Sequence, residues 1–280
     1  MHAVLEAVYA LPGVRAGSAL LKVGARLVAI QDDAYRVVWI GLPERSLSSL
    51  ILKGDGAPLE KREKPDFESA VVARDSIFLF GSGSKKNRCE VAELPAPYST
   101  VRIRTREDLF DAVERALDIP KRPNIEGAIV DRDRLLLFHR GAGQIASAIV
   151  CLPLDVLDHA TPRVSQVRRF DLGELQGVPL HFTDAASLRP GDFLVLAAAE
   201  RTDDAIEDGA VAGSALGVVV DGESERVAWT RIVEPDGRAS HRKHEGLVLD
   251  DDGRGAWTLT DPDDANRPAE LCRLRLGGFA

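Results

Sequence analysis

The sequence predicts an all-β protein, a five-bladed β-propeller closed by its N-terminal strand, and three observations carry that expectation. The first is a repeat. Residues 125–138 read as an acid, a short apolar run, a polar turn and a returning apolar run, the pattern of two antiparallel strands joined by a tight turn. Residues 67–80 and 183–196 match it, 244–259 match it with a longer turn, and 16–30 form a weaker copy. The leading positions are Gly17, Glu68, Glu126, Asp184 and Glu245, in steps of 51, 58, 58 and 61 residues. A regular repeat of this kind decides the architecture. The second observation is that the last copy stops after its third strand, 270–276. The third is that the chain opens with an apolar, β-branched run at 2–10 that no neighbouring repeat needs. That run can fill the outer position of blade five, because radial repetition still has two sheet edges to cover. The alternative is a six-bladed ring in which residues 46–62 are divided differently.

Taken in order, blade one comprises strands 17–23, 26–31 and 35–40, with a fourth within 46–61. Blade two runs from Glu68, with third and fourth strands at 88–94 and 100–104. The period then breaks. Leu109, Phe110, Val113, Ala116 and Leu117 fall on one helical face of an inserted helix near 106–118. Thr105 is placed to cap it, and Pro120 and Pro123 stop it. Blade three runs from Glu126 through 146–152 and 164–172. Blade four runs from Asp184 through 193–198, is interrupted by the hydrophilic stretch 200–213, and resumes at 216–220 and 226–232. Blade five runs from Glu245.

The chain has 280 residues and 45% hydrophobic content, enough for a sizeable core, and the repeat argues for a single domain spanning 1–280. A net charge of −8 disfavours a nucleic-acid binder, which needs a basic face. No apolar run approaches the ~18 residues of a membrane helix, and no basic stretch leads into an apolar core at the N-terminus. The expectation is a cytoplasmic protein. Cys89, Cys151 and Cys272 have no metal-type spacing and lie in apolar strand patterns, so they read as reduced and buried.

The innermost strand of each blade lines a central channel, so its first residues converge at one mouth. Glu68, Glu126, Asp184 and Glu245 would crowd carboxylates there, and like charges that close do not all stay ionised without a counter-cation. Calcium, with six to eight oxygen ligands in loose geometry, is the natural partner; magnesium is second, and acids satisfied by amides and water without metal are the third option. The returning strands end at the same mouth. They bring Ser82, Ser84, Lys85, Lys86 and Arg88 of a Gly/Ser-rich loop, His139-Arg140 and Arg201. Arg122, Lys243 and His244 precede inner strands. Glycine amides, serines and these bases suit an anion, although the loop lacks the spacing and helix of a P-loop. Asp261, Asp263 and Asp264 form a further acidic stretch that reads as a solvated turn.

Asn124-Ile125-Glu126-Gly127, Lys243-His244-Glu245-Gly246-Leu247 and the run 258–264 resemble bacterial propeller proteins described as phytase-like or esterase-like. Residues 67–70 followed by 77–85 also resemble the soluble calcium-dependent apyrases. That resemblance implies a calcium ion in the channel, with Glu68, Glu126 and Glu245 as ligands and Ser18 and Asp184 beside them. It departs from the apyrases at Lys86-Asn87-Arg88, where they carry an aromatic residue. Two functions follow as expectations. One is a metal-dependent hydrolase of a phosphoester-like anionic small molecule, with Glu68 or Glu126 positioning water. The other is a non-enzymatic propeller that binds a ligand or protein partner around a structural calcium ion. No Ser-His-Asp or Cys-His set can be placed by spacing.

Overall fold

The computed structural model describes residues 1–143, 145–158, 160–200, 211–220 and 227–279. Strand β1 (His2–Ala10) is followed by a four-stranded antiparallel meander, β2 (Gly17–Val23), β3 (Arg26–Gln31), β4 (Arg36–Gly41) and β5 (Ser46–Ile51). A second contains β6 (Phe67–Ala73), β7 (Ser76–Gly81), β8 (Glu90–Pro95) and β9 (Arg102–Thr105). Helix α1 (Glu107–Leu117) leads to a third: β10 (Ile125–Asp131), β11 (Arg134–His139), β12 (Ser147–Pro153) and β13 (Gln166–Phe170). Then come β14 (Glu174–Leu175), β15 (Val178–Arg189), β16 (Asp192–Glu200), β17 (Val211–Val220), β18 (Ala228–Val233), β19 (His244–Leu249), β20 (Gly255–Thr260) and β21 (Glu270–Gly277). The hairpins are tight for local reasons. Between β6 and β7, Arg74 and Asp75 both have positive φ, at 50° and 58°, the two-residue turn whose twist matches that of the strands it joins.

The expected five separate sheets are instead four: three of four strands and one of nine, in the order β14-β15-β16-β17-β18-β1-β21-β20-β19. The reason is β1. It pairs antiparallel with β21 from His2↔Gly277 to Ala10↔Glu270, as the closing strand should. It also pairs in parallel with β18, at Ala3↔Ile232 and Val4↔Val233, and this second ladder fuses the last two meanders. The innermost strands form a closed circuit: β2 touches β6, β6 touches β10, β10 touches β15, β15 touches β19, and β19 touches β2. Among the described residues, 52–66 form no strand, so the alternative division of 46–62 supplies no extra inner strand.

The apolar core is divided into wedges between neighbouring meanders, because each inner strand turns side chains toward both neighbours. Phe138 of β11 meets Phe182 and Phe193 of the next meander edge-on, at centroid distances of 5.4 and 6.5 Å. Such pairs add about 0.5–1.5 kcal/mol each beyond area burial. Helix α1 fills the wedge between the second and third meanders with Leu109, Phe110, Val113 and Leu117. Thr105 does not cap it: Thr105 is held in β9 opposite Glu90, so Arg106 occupies the cap position and makes no side-chain cap bond. Phe110 lies against Gly83, whose φ is +74°, and a Cβ there would collide with the ring. Gly83→Ala is therefore expected to lower unfolding stability by about 2 kcal/mol or more in a urea titration, from strain and overpacking together. The three cysteines are buried and free, as expected.

Candidate functional site

A shared irregularity builds the mouth. Each inner strand carries a register shift against its partner strand, near the start of four of them, between Gly17 and Ala19, Phe67 and Ser69, Ile125 and Gly127, and His244 and Gly246, and midway along β15, between Phe182 and Asp184. The skipped residues are Ser18, Glu68, Glu126, Thr183 and Glu245. A bulge of this kind re-aims one side chain. The structural equivalents of the three glutamates are thus Ser18 and Thr183, not Gly17 and Asp184. Ser18 Oγ donates to Phe67 O at 2.6 Å and Thr183 Oγ1 donates to His244 O at 2.9 Å, each stapling its inner strand to the next.

Asp184 falls one place further on and leaves the acid cluster. Its Oδ1 accepts from Ala185 N at 2.8 Å and its Oδ2 from Leu247 N at 2.7 Å, and it borders a second cavity lined by the later residues of the inner strands. Burial pushes its carboxyl well above the usual range, against the pull of those two amides.

Glu68, Glu126 and Glu245 do meet, around a cavity of about 60 Å³ that Ser18, Arg88, Arg140 and Lys243 also line. That is room for an ion with a few waters. The acids divide into two groups. Glu126 is held by Arg140 Nη1 at 3.0 and 3.3 Å and by Asn124 Nδ2 at 2.7 Å. Arg140 Nη2 donates to Glu200 Oε2 at 2.7 Å. Lys243 Nζ lies 3.0 Å from Glu200, 3.3 Å from Glu245 and 3.1 Å from Asp263. Apart from the exposed Asp263, these charges are almost wholly buried and pair with one another, although Glu200 Oε1 and Glu245 Oε1 make no hydrogen bond among the described residues. Arg140 and Lys243 outweigh burial at Glu200 and hold its carboxyl below the usual range. At Glu245 burial wins over Lys243, and its carboxyl is raised. Burial likewise lifts Asp261 to about 8, despite the nearby Lys243.

The second group is Asp32, Asp66 and Glu68, with carboxylate oxygens within 4.8 Å of one another. Lys64 Nζ lies between Asp32 and Asp66, 3.0 Å from the latter and in contact with the former. Arg88 Nη1 is 3.0 Å from Asp66 Oδ2, and the Ser82 hydroxyl donates to the same oxygen. Asp32 is 8% exposed, and its Oδ1 has no hydrogen-bond partner among the described residues. Burial, then repulsion from Asp32 and Asp66, pushes the Glu68 carboxyl well above its ordinary value. Burial pulls the Lys64 ammonium down, but Asp66 and Asp32 more than reverse it, so its proton is held tightly.

The Gly/Ser loop is occupied with the protein itself. Ser82 N donates to Asp66 O, Gly83 N to Arg88 O, and Ser84 N to Ser82 Oγ at 3.2 Å. Arg88 Nη1 donates to Ser84 Oγ at 3.1 Å. Lys85 is half-buried and Lys86 exposed, and neither lines the cavity. Arg122 binds Gly83 O and Asp111 of α1. His139 and His244 are buried and neutral: burial lowers them to about 4 and about 3, and their Nδ1 atoms bond to Asn124 and Thr258. Arg201 lies outside the described residues.

Lys64 and Asp66 escaped the sequence reading. A usable signal existed: the residue two before each glutamate is polar, namely Asp66, Asn124 and Lys243, and strand alternation returns it to the same side. Lys64 had no such signal, because it lies in a strandless connection.

The fold has counterparts among known structures. The chain is similar to Myxococcus xanthus glutaminyl cyclase with a TM-score of 0.55 and 8% identity, over 99% of this chain and 97% of that one. It is similar to the RS223 β-xylosidase at 0.56 and 10%, over 95% and 93%. A luciferin-regenerating enzyme gives 0.51 and 10%, over 97% and 96%. At such identities the likeness speaks for the fold alone, an all-β, propeller-like one. No curated protein sequence is significantly similar. The profile of one family matches residues 13–276, nearly the whole chain, and the protein belongs to that family, the family of unknown function DUF6929.

Proposed function

We propose that the protein binds a hard divalent cation, calcium before magnesium, at the channel mouth and uses it to hold and hydrolyse a small anionic ester. The observation that carries this reading is the convergence of Asp32, Asp66 and Glu68 beside a buried carboxylate oxygen, Asp32 Oδ1, that no described residue satisfies. Oxygen ligands in a loose cluster suit calcium. A bound cation would polarise the ester and acidify a water. Glu68 is the acid for ligation or for orienting that water. Glu126, tied to Arg140 and Asn124, contributes charge balance, and Lys243 and Arg140 supply the positive side for the anion. In this reading the calcium chemistry matches that implied by the phytase-like and apyrase resemblance. Three buried free thiols fit a reducing cytoplasm.

A second reading, a binding propeller with a structural cation, is favoured by the cavity's small size: about 60 Å³ suits an ion and a few waters. One experiment separates them. Chelator-stripped protein is titrated with calcium and then offered a panel of small phosphoesters and carboxylic esters. Calcium should raise the melting temperature by mass action, and Glu68→Gln should remove most of that rise. Lys85→Ala with Lys86→Ala should leave it intact. Absence of any calcium shift overturns both readings; a shift without turnover selects the second.

Lys64 sharpens the test. Its ammonium already neutralises Asp32 and Asp66 and competes with a metal for them. Lys64→Met should destabilise the metal-free protein while tightening calcium binding roughly tenfold or more, since a tenfold change needs only ~1.4 kcal/mol. Unchanged affinity in isothermal calorimetry would remove Asp32 and Asp66 from the ligand set.

A further inference from the structure

We propose that strand β5 is a docking edge for a second copy of this chain, which pairs with it antiparallel about Ser49. β5 is the outermost strand of the first meander, so one row of its backbone groups has no ladder partner. Native proteins guard such edges with charges, prolines or bulges. The outer strands of the next two meanders follow that rule: β9 carries Arg102 and Arg104, and β13 carries Arg168 and Arg169. β5 reads Ser-Leu-Ser-Ser-Leu-Ile, without a charge, a proline or a register shift against β4. It also displays Leu47, 40% exposed, and Ile51, 48% exposed, two of the four large hydrophobic side chains most exposed among the described residues.

The strand is complementary to itself in one register. Leu47, Ser49 and Ile51 share a face by the two-residue period of a strand. A twofold axis perpendicular to the sheet at Ser49 sets Leu47 of each copy opposite Ile51 of the other, with Ser49 facing Ser49. Moving the axis to Ser48 sets Leu47 against Ser49 and Ile51 against Arg45. Moving it to Leu50 sets Leu47 against Lys53. The Ser49 register therefore pairs apolar with apolar on the exposed face, where cross-strand contacts stabilise a sheet. It also brings Arg45 toward Lys53, but both are engaged elsewhere: Arg45 stacks on Tyr9 at 4.1 Å, and Lys53 pairs with Glu90 at 3.2 Å. Two meanders would then continue as one sheet across the axis. A six-residue edge buries less than the ~800 Å² per partner of a standard interface, so a weak dimer is expected, with a dissociation constant of about micromolar or above.

The test uses the full chain. Sedimentation velocity over about 1–500 µM should show a monomer–dimer equilibrium, and Leu47→Lys should shift it at least tenfold toward monomer while leaving the melting temperature unchanged, since Leu47 is exposed. Ser49→Cys adds an exposed thiol to a chain whose own three cysteines are buried. Opposed residues of an antiparallel pair have Cα atoms roughly 4.5–5.5 Å apart, within disulfide reach. The introduced thiols of two Ser49→Cys chains should therefore join into one disulfide, with oxidised glutathione accepting the two electrons, whereas Ser46→Cys, far from the axis, should cross-link at least tenfold more slowly. A chain that stays monomeric throughout, a dimer indifferent to Leu47→Lys, or equal cross-linking at positions 46 and 49 would each overturn the proposal. Capture of another protein's strand by a monomeric chain would count equally against it.

Discussion

Deleting residues 1–10 is expected to abolish cooperative folding. β1 supplies the ladder that covers β21 from His2↔Gly277 to Ala10↔Glu270, and it joins β18 in parallel at Ala3 and Val4. It also buries Ala3 and Leu5 in the wedge shared with Ile232, Leu247 and Leu274. Its loss exposes two sheet edges and one side of that wedge. Backbone hydrogen bonds contribute about 1 kcal/mol net each, and truncating one buried leucine costs about 2–5 kcal/mol. Losing the whole strand therefore approaches the ~5–15 kcal/mol total stability of a typical protein. Circular dichroism on heating should show no sharp transition, or the protein should be insoluble. The milder Leu5→Ala variant keeps the strand and should lose about 2–5 kcal/mol in urea. An unchanged midpoint after the deletion would mean that β1 does not hold the ring closed.

Arg140→Met is expected to cost about 3–5 kcal/mol, the usual penalty for stranding buried charges. Among the described residues Arg140 alone bridges Glu126 and Glu200, and all three are almost fully buried. Its removal leaves Glu200 with Lys243, and leaves Glu126 the hydrogen bond from Asn124 and the more distant charge of Lys243. The loss should depend on pH in a set direction. Burial already raises the folded-state pKa of Glu126, and losing Arg140 raises it further. The folded protein then holds a proton that the unfolded chain releases, so the lost stability grows as pH rises through the folded pKa and is smallest near pH 4. Adding Glu126→Gln to Arg140→Met should restore part of the stability at neutral pH. Urea midpoints at about pH 4.5 and 7.5 measure both effects, and a pH-independent deficit would argue that Arg140 acts by packing alone.

The acids at the mouth show where sequence reasoning reached its limit. Glu68, Glu126 and Glu245 were identifiable because each opens an inner strand at the same place in the repeat. Asp184 completes the set by pattern, since it precedes an apolar run in the same manner. The bulge takes Thr183 instead and turns Asp184 onto the amides of Ala185 and Leu247. A one-residue offset in a strand reverses the face of every side chain, and a repeat alignment with gaps of this size does not resolve it. The pairing of Glu126 with Arg140 was equally hidden. Both residues were assigned to the mouth, but only distances reveal that they neutralise each other and that Asp32, Asp66 and Glu68 gather as a separate triad.

The sequence alone determined the all-β class, the strand order, the inserted helix, the closing role of residues 2–10 and the gathering of three glutamates at one channel mouth. Each follows from local periodicity or from a repeated position, and both are written along the chain. The tertiary structure decided the fusion of the last two meanders through β1 and β18, the bulge that exchanges Thr183 for Asp184, and the division of the mouth into a neutralised cluster and an acid triad. It also brought Lys64, from a strandless connection, onto Asp32 and Asp66. These depend on contacts between residues remote in sequence. Which charge a buried carboxylate meets is set by the packing of inner strands around a common axis, and no local pattern encodes that distance.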